Sequence, residues 1–397
     1  MMRQGWRWFG PDDPVSLDGV RQAGATDVVS ALHQVAPGQA WTREAVRARK
    51  ALIEDTSHGR APLVWSVVES IPVPDDVKRL GAGAKRSIEA WIASLEAVAA
   101  EGIRTVCYNF MPVVDWTRTD LDWPLPNGAT ALRFDQDRFA AFDLFLLRRS
   151  GAPADYDAAA TARAKKLADT LDETGRAELV RTIAAGLPGA TTDALDLDAF
   201  RARLDAYRGI GATALRANLV AFLERVVPVA ERLGVTLTLH PDDPPRPLFG
   251  LPRVASTADD YAIIFDAVPA RANGMCFCTG SLGVRADNDL VGMAWDFGPR
   301  IGFAHLRATR READGLSFHE ADHLDGDVDM VGVVRSLLAE SRRRPRERAI
   351  VFRPDHGHRL LDDLDPDRRT NPGYTAIGRL KGLAELRGVI RAVEAGA

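Results

Sequence analysis

The residues best able to do chemistry crowd into the second half of the chain, where six of the eight histidines lie: His240, His305, His319, His323, His356 and His358. Four side chains share a setting. His240 ends the apolar run VTLTLHP, Cys278 ends GMCFCTG, His305 lies near the end of IGFAHLR, and Asp355 follows VFRPDHG. Two imidazoles, a thiolate and a carboxylate make a ligand set for a divalent transition metal. Mg²⁺ and Ca²⁺ prefer shells of oxygen and fit it poorly. Zn²⁺, Fe²⁺ and Mn²⁺ all remain open on the residues alone.

Distant residues converge only if the elements carrying them end at one place. Short β-rich runs recur at Gly5–Phe9, Asp27–Leu32, Leu63–Glu69, Thr105–Phe110, Val235–His240, Met275–Cys278, Ile301–Leu306 and Ala349–Arg353. Amphipathic segments separate them, such as 88–100 with Ile88, Trp91, Ile92, Leu95 and Val98 at helical spacing. Strand alternating with helix implies a parallel sheet, and eight units imply a closed (β/α)₈ barrel. In that fold catalytic groups come from strand C-termini, which open on one face. The four ligand candidates occupy consecutive strand ends, the last four of the eight. An open doubly wound sheet is the alternative, but WRWFGPDDP is not its glycine-rich phosphate turn. Between the fourth and fifth strands the chain is too long for one barrel unit. Residues 152–207, with ATARAKKLADTLDE and LDAFRARLDAYR, predict a helical insertion within a single barrel domain spanning 1–397.

Composition narrows the field. With 397 residues, 46% hydrophobic and 27% charged, the chain has the make-up of a soluble globular protein. A net charge of −4 argues against nucleic acid as a partner. The basic run SRRRPRER, 341–348, is expected to be a solvated connection. No apolar run reaches membrane-spanning length, and the N-terminal residues do not read as a signal peptide, so a cytoplasmic location is expected. Three cysteines make no disulfide framework; Cys107 and Cys276 read as core. GAGAKRS, 81–87, lacks the pattern of a phosphate loop and reads as a plain loop. Trp6 and Trp8 read equally as core or as a sugar platform.

Longer motifs carry more information than single residues. WRWFGPDDPVSL, VCYNFMPVVDWTRTDLDW, LHPDDPP, FCTGSLG, FAHLR, HEADHLDGDVDM and RPDHGH with NPGYTAIGRLKG run nearly end to end. With them the sequence resembles the mannonate dehydratase family of hexuronate catabolism, whose barrel is related to that of xylose isomerase. The insertion resembles that of the longer members. The resemblance implies dehydration of D-mannonate to 2-dehydro-3-deoxy-D-gluconate, with Fe²⁺ or Mn²⁺ as cofactor and a homo-oligomeric assembly. It implies metal ligands at His240, Cys278, His305 and Asp355, and proton transfer by His356 and Tyr374. The chain departs from the family at Pro74-Asp75-Asp76, where a histidine is expected, which touches rim contacts near the third strand.

For the substrate, Arg307 would pair with the carboxylate. Tyr108 and Asn109 would contact hydroxyls, and His323 would reach in from the rim. His319 and His358 are expected to be loop residues with ordinary hydrogen bonds. Three rivals differ in kind. A sugar isomerase would favour carboxylate ligands over a thiolate, and a dehydratase of a neighbouring aldonate would share every ligand. A sugar-acid-binding protein would keep the metal but needs no proton-transfer pair.

Overall fold

The computed structural model describes residues 2–185 and 196–396. Eight strands close a parallel barrel: β1 (Arg3–Arg7), β2 (Asp27–Ser30), β3 (Val64–Glu69), β4 (Thr105–Tyr108), and, after a smaller hairpin, four more. The hairpin is β5 (Asp120–Pro124) with β6 (Thr130–Phe134); the barrel resumes with β7 (Thr236–Leu239), β8 (Asn273–Cys278) and β9 (Ile301–His305). After β10 (Ala308–Arg311) and β11 (Phe318–Ala321), β12 (Val351–Arg353) pairs with β1 and β9 to seal the ring. All eight expected strands are present. The first sits two residues earlier than expected.

Strand periodicity divides each barrel strand between two environments. Val29, Val67, Cys107, Cys276, Phe303 and Val351 form a closed apolar cluster contributed by β2, β3, β4, β8, β9 and β12. This is the packed plug of the barrel, and both expected core cysteines belong to it. Alternate residues, among them Trp6, Trp65, Val106, Tyr108, Leu237, Phe277 and Phe352, join the main core against the helices. Trp6 and Trp8 are therefore core rather than a sugar platform; Arg379 lies over Trp6 and Arg49 over Trp8.

Several helices follow sequence logic. Ala84–Ala100 buries Ile88, Trp91, Leu95 and Val98, the predicted stripe, and packs against Ala212–Leu233. Its first turn takes in the second half of GAGAKRS, so only residues 81–83 of that stretch precede the helix. The run 341–348 is not wholly solvated either: Arg344 donates to the Ile301 carbonyl at 2.8 Å and to Glu340 at 2.7 Å.

Two features lie beyond the barrel. Strands β10, β11, β6 and β5 form an antiparallel sheet that the strand count did not foresee. Between β6 and β7 come helices Gln136–Ala141, Ala158–Thr170, Glu173–Ala185 and Leu197–Asp205; residues 186–195 of the expected insertion lie outside the described residues. Asp75 accepts from Arg203 at 2.9 Å and from the Tyr207 hydroxyl at 2.8 Å, which ties this region to the rim after β3. The sequence departure at Pro74-Asp75-Asp76 is thus an anchor. Among the described residues no helix is long and apolar enough to cross a membrane.

Candidate active site

One step beyond the apolar plug, the same inward alternation delivers polar residues. Val67 is followed two positions on by Glu69, Cys107 by Asn109, Cys276 by Cys278, Phe303 by His305 and Val351 by Arg353. Glu69, Asn109, His240, Arg353, Asp355, His356 and Tyr374 line one cavity with Arg7, Met111, Asp115, Trp116, Asp243 and Arg307.

Ligand atoms of His240, Cys278 and His305 lie within 4.8 Å of one another and could hold a metal ion. Their surroundings orient them for it. His240 Nδ1 donates to the Pro241 carbonyl at 2.7 Å, which leaves the Nε2 lone pair facing His305 Nδ1 at 3.2 Å. His305 Nε2 is 3.4 Å from Glu69, a placement that favours the proton on Nε2. Cys278 caps the short helix Thr279–Gly283, and its sulfur accepts from the Ser281 backbone at 3.4 Å and hydroxyl at 3.2 Å. Both contacts hold the sulfur in place within the cluster. Asp355 Oδ2 lies 3.7 Å from His305 Nδ1 and 3.8 Å from Cys278 Sγ. Asp355 itself adopts φ of 61°, a left-handed conformation costly for a non-glycine residue and common at functional sites.

Four guanidiniums interleave with four carboxylates around this cluster. Glu69 pairs with Arg7 at 2.9 Å and Arg353 at 2.7 Å. Arg353 also pairs with Asp355. Arg307 reaches Asp355, Asp243 and Glu320 at 2.6, 2.6 and 2.7 Å. Arg118 joins Asp243 at 2.7 Å and Glu320 at 2.9 Å. Burial alone would raise these carboxyls, but the guanidiniums win. Arg353 above all holds Asp355 well below the usual carboxylate range; Arg353 and Arg7 do the same for Glu69. Gly280 makes room for Arg307, since a Cβ there would lie 2.5 Å from the guanidinium carbon.

His356 and Tyr374 meet edge to face with ring centroids 5.1 Å apart. Gly357 N donates to the Gly373 carbonyl at 2.9 Å, so one backbone bridge carries both side chains. His356 Nδ1 is 3.1 Å from Glu320, an ionised acceptor, so Nδ1 carries the proton and Nε2 the lone pair. Burial lowers the His356 pKa, while Asp355 and Glu320 oppose the shift. Burial raises that of Tyr374, against Arg7 and Arg353.

Comparison with known proteins then decides the family. A family model described as D-mannonate dehydratase (UxuA) matches residues 2–397. A mannonate dehydratase of Brucella melitensis biotype 2 is 62% identical over 394 residues, covering 99% of this chain and 98% of its own. The chain belongs to the mannonate dehydratase family. A crystal structure of mannonate dehydratase from Streptococcus suis serotype 2 is similar at TM-score 0.75 and 30% identity, covering 100% of this chain and 95% of that one. A xylose isomerase-like TIM barrel protein from Mycobacterium smegmatis, in complex with magnesium, reaches TM-score 0.50 at 13% identity, covering 98% of both chains, and shares the fold alone.

Within this mannonate dehydratase barrel, three expected substrate contacts need correction. Tyr108 points outward: alternation puts Cys107 and Asn109 inside, and Tyr108 packs against Trp91 and Phe222 with no exposed surface. His323 is not on the rim but buried, donating to the Pro354 carbonyl at 2.7 Å. Arg307 lines the cavity, yet its guanidinium is already committed to three carboxylates. Asn109 does line it, donating to Asp115 at 3.4 Å. His319 lies in β11, paired with Glu312 at 3.3 Å, and His358 donates to the Glu320 carbonyl at 2.9 Å. Sequence reading missed Arg7, Glu69 and Arg353, although each ends a strand as His305 does. Asp243, Arg118 and Glu320 sit in loops or the small sheet, where no spacing announced them.

Proposed function

We propose that this protein is a metal-dependent hydro-lyase that converts D-mannonate to 2-dehydro-3-deoxy-D-gluconate and water. The observation that carries the reading is the convergence, in a chain of this family, of His240, Cys278 and His305 beside the paired rings of His356 and Tyr374. Asp355 is taken as the fourth ligand, on its 3.7 and 3.8 Å approaches to the cluster. The mixed nitrogen, sulfur and oxygen set suits Fe²⁺ or Mn²⁺, our choice for the cofactor, and disfavours Mg²⁺.

Bound there, a divalent cation supplies electrostatic stabilisation of the charge that builds on the substrate carboxylate. Proton movements fall to the chain. His356, neutral and with Nε2 unprotonated, takes the C2 proton as general base. The C2–H electrons form the C2–C3 double bond as the C3–O bond breaks. Tyr374, kept a protonated phenol by burial, gives its proton to the departing hydroxyl, which leaves as water. The enol at C2 then tautomerises to the ketone. Glu320 fixes the His356 tautomer, and Arg353 and Arg307 hold Asp355 ionised. The same reading takes the enzyme as a cytoplasmic homo-oligomer, which cell fractionation and size-exclusion measurements would check.

The test is anaerobic turnover by protein stripped of metal and reloaded with Fe²⁺, Mn²⁺ or Zn²⁺, with D-gluconate and D-altronate as comparison substrates. Metal-dependent formation of the 2-keto-3-deoxy acid from D-mannonate is the expected outcome. Product from another aldonate alone would change the substrate, and none from metal-loaded protein would sink the dehydratase reading.

A further inference from the structure

Of the four guanidiniums around the site, three are consumed by the protein itself. Arg307 contacts three carboxylates, Arg353 contacts Glu69 and Asp355, and Arg118 contacts Asp243 and Glu320. Arg7 differs. It has one carboxylate contact, Nη1 to Glu69 at 2.9 Å, and its Nε–H is buried with no partner; the Nε–H of Arg118 is likewise unpartnered, but Arg118 already spans two carboxylates and does not line the cavity. A buried guanidinium N–H without an acceptor is costly and calls for an explanation.

Its position supplies one. Arg7 ends β1, lines the cavity and is only 6% exposed. Its guanidinium carbon lies 4.8 Å from the Phe9 ring centroid and 5.6 Å from that of Tyr374. Glu69, which holds it, is also the carboxylate 3.4 Å from His305. Arg7 thus stands between the phenol and the proposed metal cluster, with a free donor and a charge. A second orphaned donor, the indole N–H, belongs to Trp116, which lines the same cavity and meets the His356 ring edge to face at a centroid distance of 5.9 Å.

We propose that Arg7 recognises the carboxylate of the substrate, through its unpartnered Nε–H and the adjoining edge of the guanidinium, and that Trp116 Nε1–H donates to a substrate hydroxyl. A planar fork of N–H groups fits a carboxylate in bidentate fashion. The role expected of Arg307 passes to Arg7, because the charge of Arg307 is already neutralised. The proposal deepens the dehydratase reading and rests on a sugar acid being the ligand.

Calorimetry with metal-loaded protein tests it independently of turnover, using D-mannonate, D-gluconate and the neutral alcohol D-mannitol. Wild type should bind a sugar-acid anion and discriminate against mannitol. Arg7→Met should weaken sugar-acid binding by about ten- to a hundredfold, the loss of a charge-assisted hydrogen bond, with metal content unchanged; because the change also removes a buried partner of Glu69 it should lower the melting temperature, so affinity is read well below the unfolding transition. Arg7→Lys, which keeps the charge without the fork, should recover part of the affinity. Unchanged affinity in Arg7→Met would overturn the assignment, as would equal binding of mannitol by wild type, a measurement that needs no variant. Failure of the dehydratase reading would look different: wild type would bind the acid through Arg7 and form no product.

Discussion

Two strand-end residues, Cys278 of β8 and Tyr108 of β4, have opposite fates at this site. Cys278 faces the proposed metal with two donors from Ser281 on its sulfur, while Tyr108 faces the helices. Cys278→Ser should therefore weaken metal binding by about tenfold or more, since a hydroxyl is a poor replacement for a thiolate. Metal titration of the variant reads this directly. Tyr108→Phe should leave kcat and KM at wild-type values. Its hydroxyl is buried without a hydrogen bond, so removing it should cost no stability, and kinetics with a denaturation curve would check both statements.

At the scale of elements, the anchor after β3 holds the helical region to the barrel. Asp75 is the common acceptor for Arg203 and Tyr207, and Arg203 also donates to the Val113 carbonyl at 2.6 Å. Asp75→Ala should destabilise the protein by about 1–3 kcal/mol through the unpaired donors it leaves. Hydrogen exchange in the helix Leu197–Asp205 should accelerate, while exchange in the barrel strands should not. The element scale also shows what spacing could reveal. Barrel strands were legible because most are short apolar runs with a polar residue at the end or just beyond it. Strands β5, β6, β10 and β11 were not: DLDWP, TALRF, ATRR and FHEA carry as many charged or small residues as apolar ones. Their pairing depends on partners distant in sequence, such as Phe318 opposite Phe134.

The whole molecule carries a titration that belongs to its packing. His33, just after β2, has both ring nitrogens buried without partners beside Phe9. Burial first, then the charges of Arg7 and Arg49, push its pKa from 6.5 down to about 3. Because the folded value is the lower one, the unfolded chain binds a proton that the fold refuses. Stability from this group is complete above pH 6.5 and declines as the pH falls toward 3. Between pH 6.5 and 5 the decline should approach about 2 kcal/mol. Urea midpoints at the two pH values should show it in wild type, and His33→Gln should lose most of it. We propose that residues 1–397 form one barrel domain with 152–207 inserted, as the clamp at Asp75 supports.

The sequence by itself determined the barrel, the family and the ligand candidates at its strand ends. Strand period and strand end are local properties, and long motifs are read without coordinates. Only the tertiary structure decided how the guanidiniums are shared. Arg307 and Arg7 look alike as strand-end arginines. Arg307 meets Asp243 and Glu320, which come from a loop and from the small sheet, and so it is neutralised. Arg7 meets only Glu69 and keeps a donor free. A charge is available to substrate or not according to the carboxylates that surround it in space, and those neighbours are far apart in the chain.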